Sequence, residues 1–186
     1  MSDNTVVLID EGLEAESIVN LDDMAEESGG AWPIGWYAAD VIEGYATNKG
    51  KQFQTADTVS QDGESRNVRL CFRVKRGDQE RTMQQVLNYR TSDFTSERIA
   101  HIKVLRDENR NTKGKWADGN AQRSSLAMAK MGGFTKALGQ SLKLAANGAV
   151  IVTPFLNQSV DVYLAVDDKG YNEVKHFEKA GTKVKR

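Results

Sequence analysis

The chain has 186 residues, 39% of them hydrophobic and 27% charged, with a formal net charge of −1. This is the composition of a globular protein with one domain and room for an appended arm. A single cysteine, Cys71, excludes a disulfide framework and a multi-cysteine zinc site and fits a reducing compartment. No run approaches the ~20 apolar residues of a membrane-spanning helix. No basic stretch precedes the short apolar patch at residues 6–9, as it would in a signal peptide.

The small net charge hides an asymmetry. Residues 1–31 hold nine acidic side chains and no lysine or arginine, which leaves 25 cations against 17 anions from Trp32 onward, a net of +8. The expected organisation is an acidic, flexible N-terminal arm over 1–31, a folded domain over 32–180 and a frayed basic tail over 181–186. An acidic leader that only solvates the protein and one that docks on a basic surface both remain open at this stage. Ser28-Gly29-Gly30 reads as the linker.

The domain begins with an aromatic and β-branched run over residues 35–45, a first strand. Lys49 and Lys51 lie in the turn that follows, and residues 52–59 form a second strand anchored on Phe53. A polar loop then leads to the stretch that organises the chain, residues 67–90. There Val68, Leu70, Phe72 and Val74 alternate with Arg69, Cys71, Arg73 and Lys75. Successive strand side chains point to opposite faces, so one face builds a core and the other carries cations. Lys75-Arg76-Gly77-Asp78 turns the chain into a strand bearing Arg81, Met83, Leu87 and Tyr89.

After Arg90 the period becomes helical. Ser92 or Asp93 is placed to cap a helix using Phe94, Ile99, Ile102 and Leu105. A polar loop over 106–119 carries Trp116. Leu126, Met131, Phe134, Leu138 and Leu142 then recur at helical spacing over 121–144, with a kink, or a break into two shorter helices, expected at Gly132-Gly133. Two strands close the chain, one alternating through Val160, Val162, Leu164 and Val166, the other running over 171–180 after the turn Asp167-Asp168-Lys169-Gly170. Strands in hairpins exclude a parallel βαβ sheet. The order predicts an α+β fold, mainly β: an OB-like antiparallel barrel of five to six strands with a helical insertion at about 92–145.

Enzyme signals are absent from this pattern. His101 and His176 have no Cys or second His nearby at ligand spacing, no Walker A or GxSxG spacing occurs, and no metal or cofactor is expected. Cys71 lies between two arginines that would lower its pKa, but a small strand residue is the simpler reading. A metal-dependent nuclease built on Asp161, Asp168 and Glu173 is a third-ranked alternative. A structural or interaction protein of an assembly ranks second.

Nucleic-acid chemistry is better served. A single strand is held by a cationic groove and by rings on which bases stack. Such residues interleave on three hairpins: Lys49, Lys51 and Phe53; Arg69, Arg73, Lys75 and Arg81; and Tyr163, Tyr171, Lys175 and Phe177. Trp32, Trp116 and Tyr171 sit beside polar loops and are expected to be exposed, whereas Trp36, Phe53 and Phe72 equally suit a core.

The segments Ile34-Gly35-Trp36-Tyr37, Lys49-Gly50-Lys51, Val68 to Val74, Val160 to Leu164 and Gly170 to Phe177 together resemble one family. It is the OB-fold single-stranded DNA-binding proteins of bacteriophages and prophages, long catalogued as a family of unknown function. The resemblance spans residues 32–180. It implies a non-catalytic protein that binds single-stranded DNA in phage replication or recombination in a bacterial cytoplasm. The chain departs from it in the length of the 92–119 region and in its basic C-terminus. The acidic arm would then contact phage or host replication and recombination proteins; self-association is left open.

Overall fold

Strand alternation sets the architecture. The computed structural model describes residues 30–110 and 114–185, together with the backbone of two short strands, β1 (Thr5–Leu8) and β2 (Ser17–Asn20), which pair antiparallel with each other. The expected flexibility of the arm otherwise lies outside the described residues. The body contains β3 (Gly35–Ile42), β4 (Gly44–Ala46), β5 (Gln52–Gln54), β6 (Ala56–Val59), β7 (Ser65–Arg76) and β8 (Gln79–Arg90). These are followed by α1 (Ser96–Glu108), α2 (Gly119–Ala137), β9 (Ser159–Val166) and β10 (Asn172–Lys179).

The main sheet runs β8-β7-β3-β9-β10, antiparallel throughout, with β6 paired to the first half of β7 beyond the end of β3. Counting the five long strands along the chain, the order is 3-2-1-4-5 with both helices between the third and fourth. This is the expected α+β, OB-like arrangement, curled into a half-barrel. β4 and β5 form a separate small hairpin.

The inner face is the core. Val68, Leu70, Phe72 and Val74 are fully buried, as are Val160, Val162 and Leu164. The two edges, β8 and β10, are not paired to each other, and α2 lies across both. Lys130 marks the junction: its Nζ donates to Gln85 Oε1 on β8 at 3.3 Å and to the Val174 carbonyl on β10 at 3.4 Å. Below it Phe134 meets Phe72, Phe155 and Phe177 with ring centroids 6.1, 5.2 and 5.1 Å away.

The helices differ from the sequence reading in three places. Thr95, and neither Ser92 nor Asp93, caps α1, accepting from the Arg98 amide at 3.2 Å. Asp93 is instead buried, binding Arg98 Nε at 2.9 Å and the Ser124 hydroxyl at 2.5 Å. The second helix runs unbroken through Gly132-Gly133, because packing of Met131 and Phe134 outweighs a helix penalty of ~1 kcal/mol per glycine. It stops at Ala137 rather than at 144. Gly139, at φ +65°, donates to the Lys136 carbonyl, and the Gln140 amide donates to that of Thr135. This pair of bonds is a Schellman stop.

A buried ion pair ties four segments together. Asp57 on β6 binds Arg66 Nε at 2.7 Å, and its other oxygen accepts from the Tyr89 hydroxyl at 2.5 Å and the Val150 amide at 2.6 Å. Burial, and then the Asp57 carboxylate, push the Tyr89 phenol well above its ordinary range.

Residues 181–184 of the tail, expected to fray, are held. Asp161, fully buried on β9, accepts from the backbone amides of Gly181, Lys183 and Val184 at 3.2, 2.8 and 3.1 Å, folding these residues back onto the sheet. Among the described residues no helix is long and apolar enough to cross a membrane.

Candidate nucleic-acid interface

With Val68, Leu70, Phe72 and Val74 directed inward, Arg69, Cys71, Arg73 and Lys75 share the outer wall of β7. Strand register places Asp40 beside Arg73 and Ala38 beside Lys75. Two residues beyond Ala38, Trp36 pairs with Tyr163, which pairs with His176. The outer wall therefore carries a run of cations with a ring cluster at each end.

One cluster centres on Phe53, which is half-buried. Lys51 Nζ lies 5.0 Å and the Arg69 guanidinium carbon 5.2 Å from its ring centroid, and Tyr45 packs 5.3 Å away. Cations at this distance are held by the ring's negative face. The β4–β5 hairpin positions Phe53, and Thr55 fastens the hairpin's end, donating to the Ile42 carbonyl and accepting from the Cys71 amide. Lys49 is exposed in the hairpin turn.

The other cluster is Trp36, Tyr163 and His176, with centroids 5.3 and 5.9 Å apart in sequence of contact. Lys183 Nζ stands 5.7 Å from the Trp36 ring. Asp161, by capturing the tail amides, is what brings Lys183 there. At ~3.3 Å per residue along the strands, the two clusters lie roughly 25 Å apart. Between them Arg73 faces Glu80 at 3.7 Å, and Lys75 binds Asp40 at 2.8 Å.

The remaining candidates fall elsewhere. Arg81 is on the opposite side of the sheet from Arg69, Arg73 and Lys75: it opposes Val74, covers the Trp32 ring at 4.9 Å and donates to the Gly30 carbonyl. Trp32 itself, expected to be exposed, is buried, and Asn172 brackets its backbone with bonds of 2.6 and 2.9 Å. Phe177 is also buried, in the core beside Phe134. A β-bulge at Lys175 explains this, since one extra residue between Val174 and His176 turns Phe177 inward. Lys175 is exposed and bound to Glu173 at 2.7 Å. Tyr171, 69% exposed, stands at the β9–β10 turn. Trp116 lies apart, beside the start of α2.

Several residues of this face escaped the sequence reading. Tyr45 belongs to the Phe53 cluster, and Trp36, His176 and Lys183 to the other. The only signal for Trp36 was its alternation with Tyr37, and either ring of that pair suits a core. Asp161 serves the tail and Glu173 serves Lys130 and Lys175, so both are engaged within the fold. Cys71 is buried, and burial pushes its thiol up despite Arg69.

The hairpin that carries Phe53 has one weak point. A Cβ at Gly44 would lie 2.3 Å from the Phe53 carbonyl oxygen and 3.2 Å from Gln54 Cα, both backbone atoms. Gly44→Ala should therefore open the β4–β5 pairing and release Phe53 from Arg69 while leaving the main sheet intact. Amide hydrogen exchange over residues 44–54 is the check; protection equal to wild type would show that the hairpin absorbs the methyl group. Compared with family models, curated proteins and solved structures, the chain matches none.

Proposed function

We propose that this protein binds single-stranded DNA without catalysis and with little sequence preference. Its setting is phage or prophage DNA replication or recombination in a bacterial cytoplasm, as in the family its motifs resemble. The observation that carries the reading is the outer wall of β7 and β3: Phe53 with Lys51 and Arg69 over its ring at one end, Trp36 beside Tyr163 and with Lys183 over its ring at the other, and Arg73 and Lys75 between. In OB folds the second strand, here β7, and the loop joining it to the first, here carrying Lys51 and Phe53, belong to a common oligonucleotide site.

The energetics are favourable in outline. Arg73 and Lys75 are partnered, but exposed ion pairs are worth only about 0–1 kcal/mol, so exchanging carboxylate for phosphate costs little. Each base stacked on a ring contributes ~1–3 kcal/mol. Phosphate contacts release counterions, so affinity falls as salt rises. The acidic arm supplies a second contact, with replication or recombination proteins.

Fluorescence anisotropy with a labelled dT oligonucleotide and a matched duplex tests the reading. Tight binding to the single strand, weakening steeply with salt, is expected; equal or absent binding to both would remove it. Phe53→Ala and Trp36→Ala should each weaken single-strand binding roughly 5- to 150-fold, the equivalent of one lost stack.

A further inference from the structure

The two helices form a second site with its own chemistry. A groove of about 560 Å³ opens between the end of α1 and the first turns of α2, lined by Arg106, Lys115, Trp116, Gln122, Arg123 and Leu126 among others. Three of these side chains are cations, and among the described residues no carboxylate lines the groove. Among the described residues, neither Arg106, Lys115 nor Arg123 holds an acidic partner. All three are exposed, whereas Trp116 is half-buried against the groove wall.

The loop before α2 is fixed rather than loose at this point. The Trp116 amide donates to Gln122 Oε1 at 3.2 Å, fastening the loop to the helix. Asp118 caps α2 by accepting from the Asn120 and Ala121 amides at 3.1 and 2.9 Å, and its other oxygen binds Arg98 at 2.8 Å. Those bonds, with the Arg98–Asp93 pair, tie residues 116–118 to both helices. The Asp118 carboxylate is thereby committed and does not neutralise the groove cations.

We infer that this groove binds a nucleotide, with the base against Trp116 and Leu126 and the phosphate among Arg106, Lys115 and Arg123. A ring, an apolar ledge and three cations in one concavity match a ligand that is aromatic at one end and polyanionic at the other. The nucleotide is either free or one unit of a strand. The inference does not depend on the outer wall of β7, whose residues it shares none of.

Calorimetric titration of the full chain with thymidine triphosphate, with inorganic phosphate and with a dT oligonucleotide tests it, using wild type, Trp116→Ala and the exposed-site variants Lys115→Glu and Arg123→Glu. All should melt like wild type. Loss of triphosphate binding by tenfold or more in the charge variants, and 5- to 150-fold in Trp116→Ala, assigns the groove to a free nucleotide. The same losses with the oligonucleotide alone assign it to a strand unit. Equal binding of inorganic phosphate and triphosphate, or changes below twofold for triphosphate and oligonucleotide in folded variants, would overturn the inference. Phe53→Ala separates the two sites, since it should weaken oligonucleotide binding without touching the triphosphate.

Discussion

Asp57→Ala is expected to cost about 3–5 kcal/mol of stability, read from urea or guanidinium unfolding. An exposed ion pair would be worth less than about 1 kcal/mol. This one differs because the Arg66 and Asp57 side chains are only 10% and 2% exposed. Removing the carboxylate leaves a guanidinium desolvated without a partner, strips the Val150 amide of its acceptor and leaves the Tyr89 hydroxyl only the Gly148 carbonyl. The loss is large against the 5–15 kcal/mol that holds a typical domain together. Asp57→Asn keeps one acceptor oxygen but loses the charge and turns the other oxygen into a donor facing donors, so it should fall between wild type and alanine. Adding Arg66→Met to the alanine variant should recover part of the loss, because the uncompensated charge goes with it. A cost under about 1 kcal/mol for Asp57→Ala would mean that water reaches Arg66.

Phe134→Ala should be comparably severe, at about 3–5 kcal/mol. Phe134 is fully buried at the centre of the gap between β8 and β10, against rings from β7, β10 and the segment before β9. Its truncation leaves a cavity where the helix closes the half-barrel, and the rigid strands on either side cannot collapse into it. Leu126→Ala on the same helix is the control: at 58% exposure it should change stability by no more than about 0.5 kcal/mol. Equal effects from both variants would contradict the role assigned to α2 as the closure of the sheet.

The parts of the fold that were legible in the sequence follow from period and turns. The alternation in residues 68–75 and 160–166 fixed which side chains enter the core, and hairpin spacing ruled out a parallel sheet. Gly139 was a readable helix stop, but the apolar spacing of Leu138 and Leu142 masked it. Other features depend on what one strand meets across space. The bulge that buries Phe177 inserts a single residue whose only trace is Lys175 itself. Arg81 looked like one of the hairpin cations, yet its partner across the ladder is Val74, so it turns to the opposite side and covers Trp32. Asp161 resembled a surface carboxylate; only the return of Gly181 to Val184 gives it three amides to bind. Of the candidate site, Lys51, Phe53, Arg69, Arg73, Lys75 and Tyr163 share the outer wall. The sequence could not show that Trp36, Tyr45 and Lys183 join them.

Amide chemical-shift mapping of the 20.6 kDa chain during titration with a dT oligonucleotide tests the central claim most directly. Shifts are expected across one face, from Lys51, Phe53 and Arg69 through Arg73 and Lys75 to Trp36 and Tyr163, fading as salt is added. Absence of shifts, or shifts that leave this face silent while the strand is bound elsewhere, would contradict it.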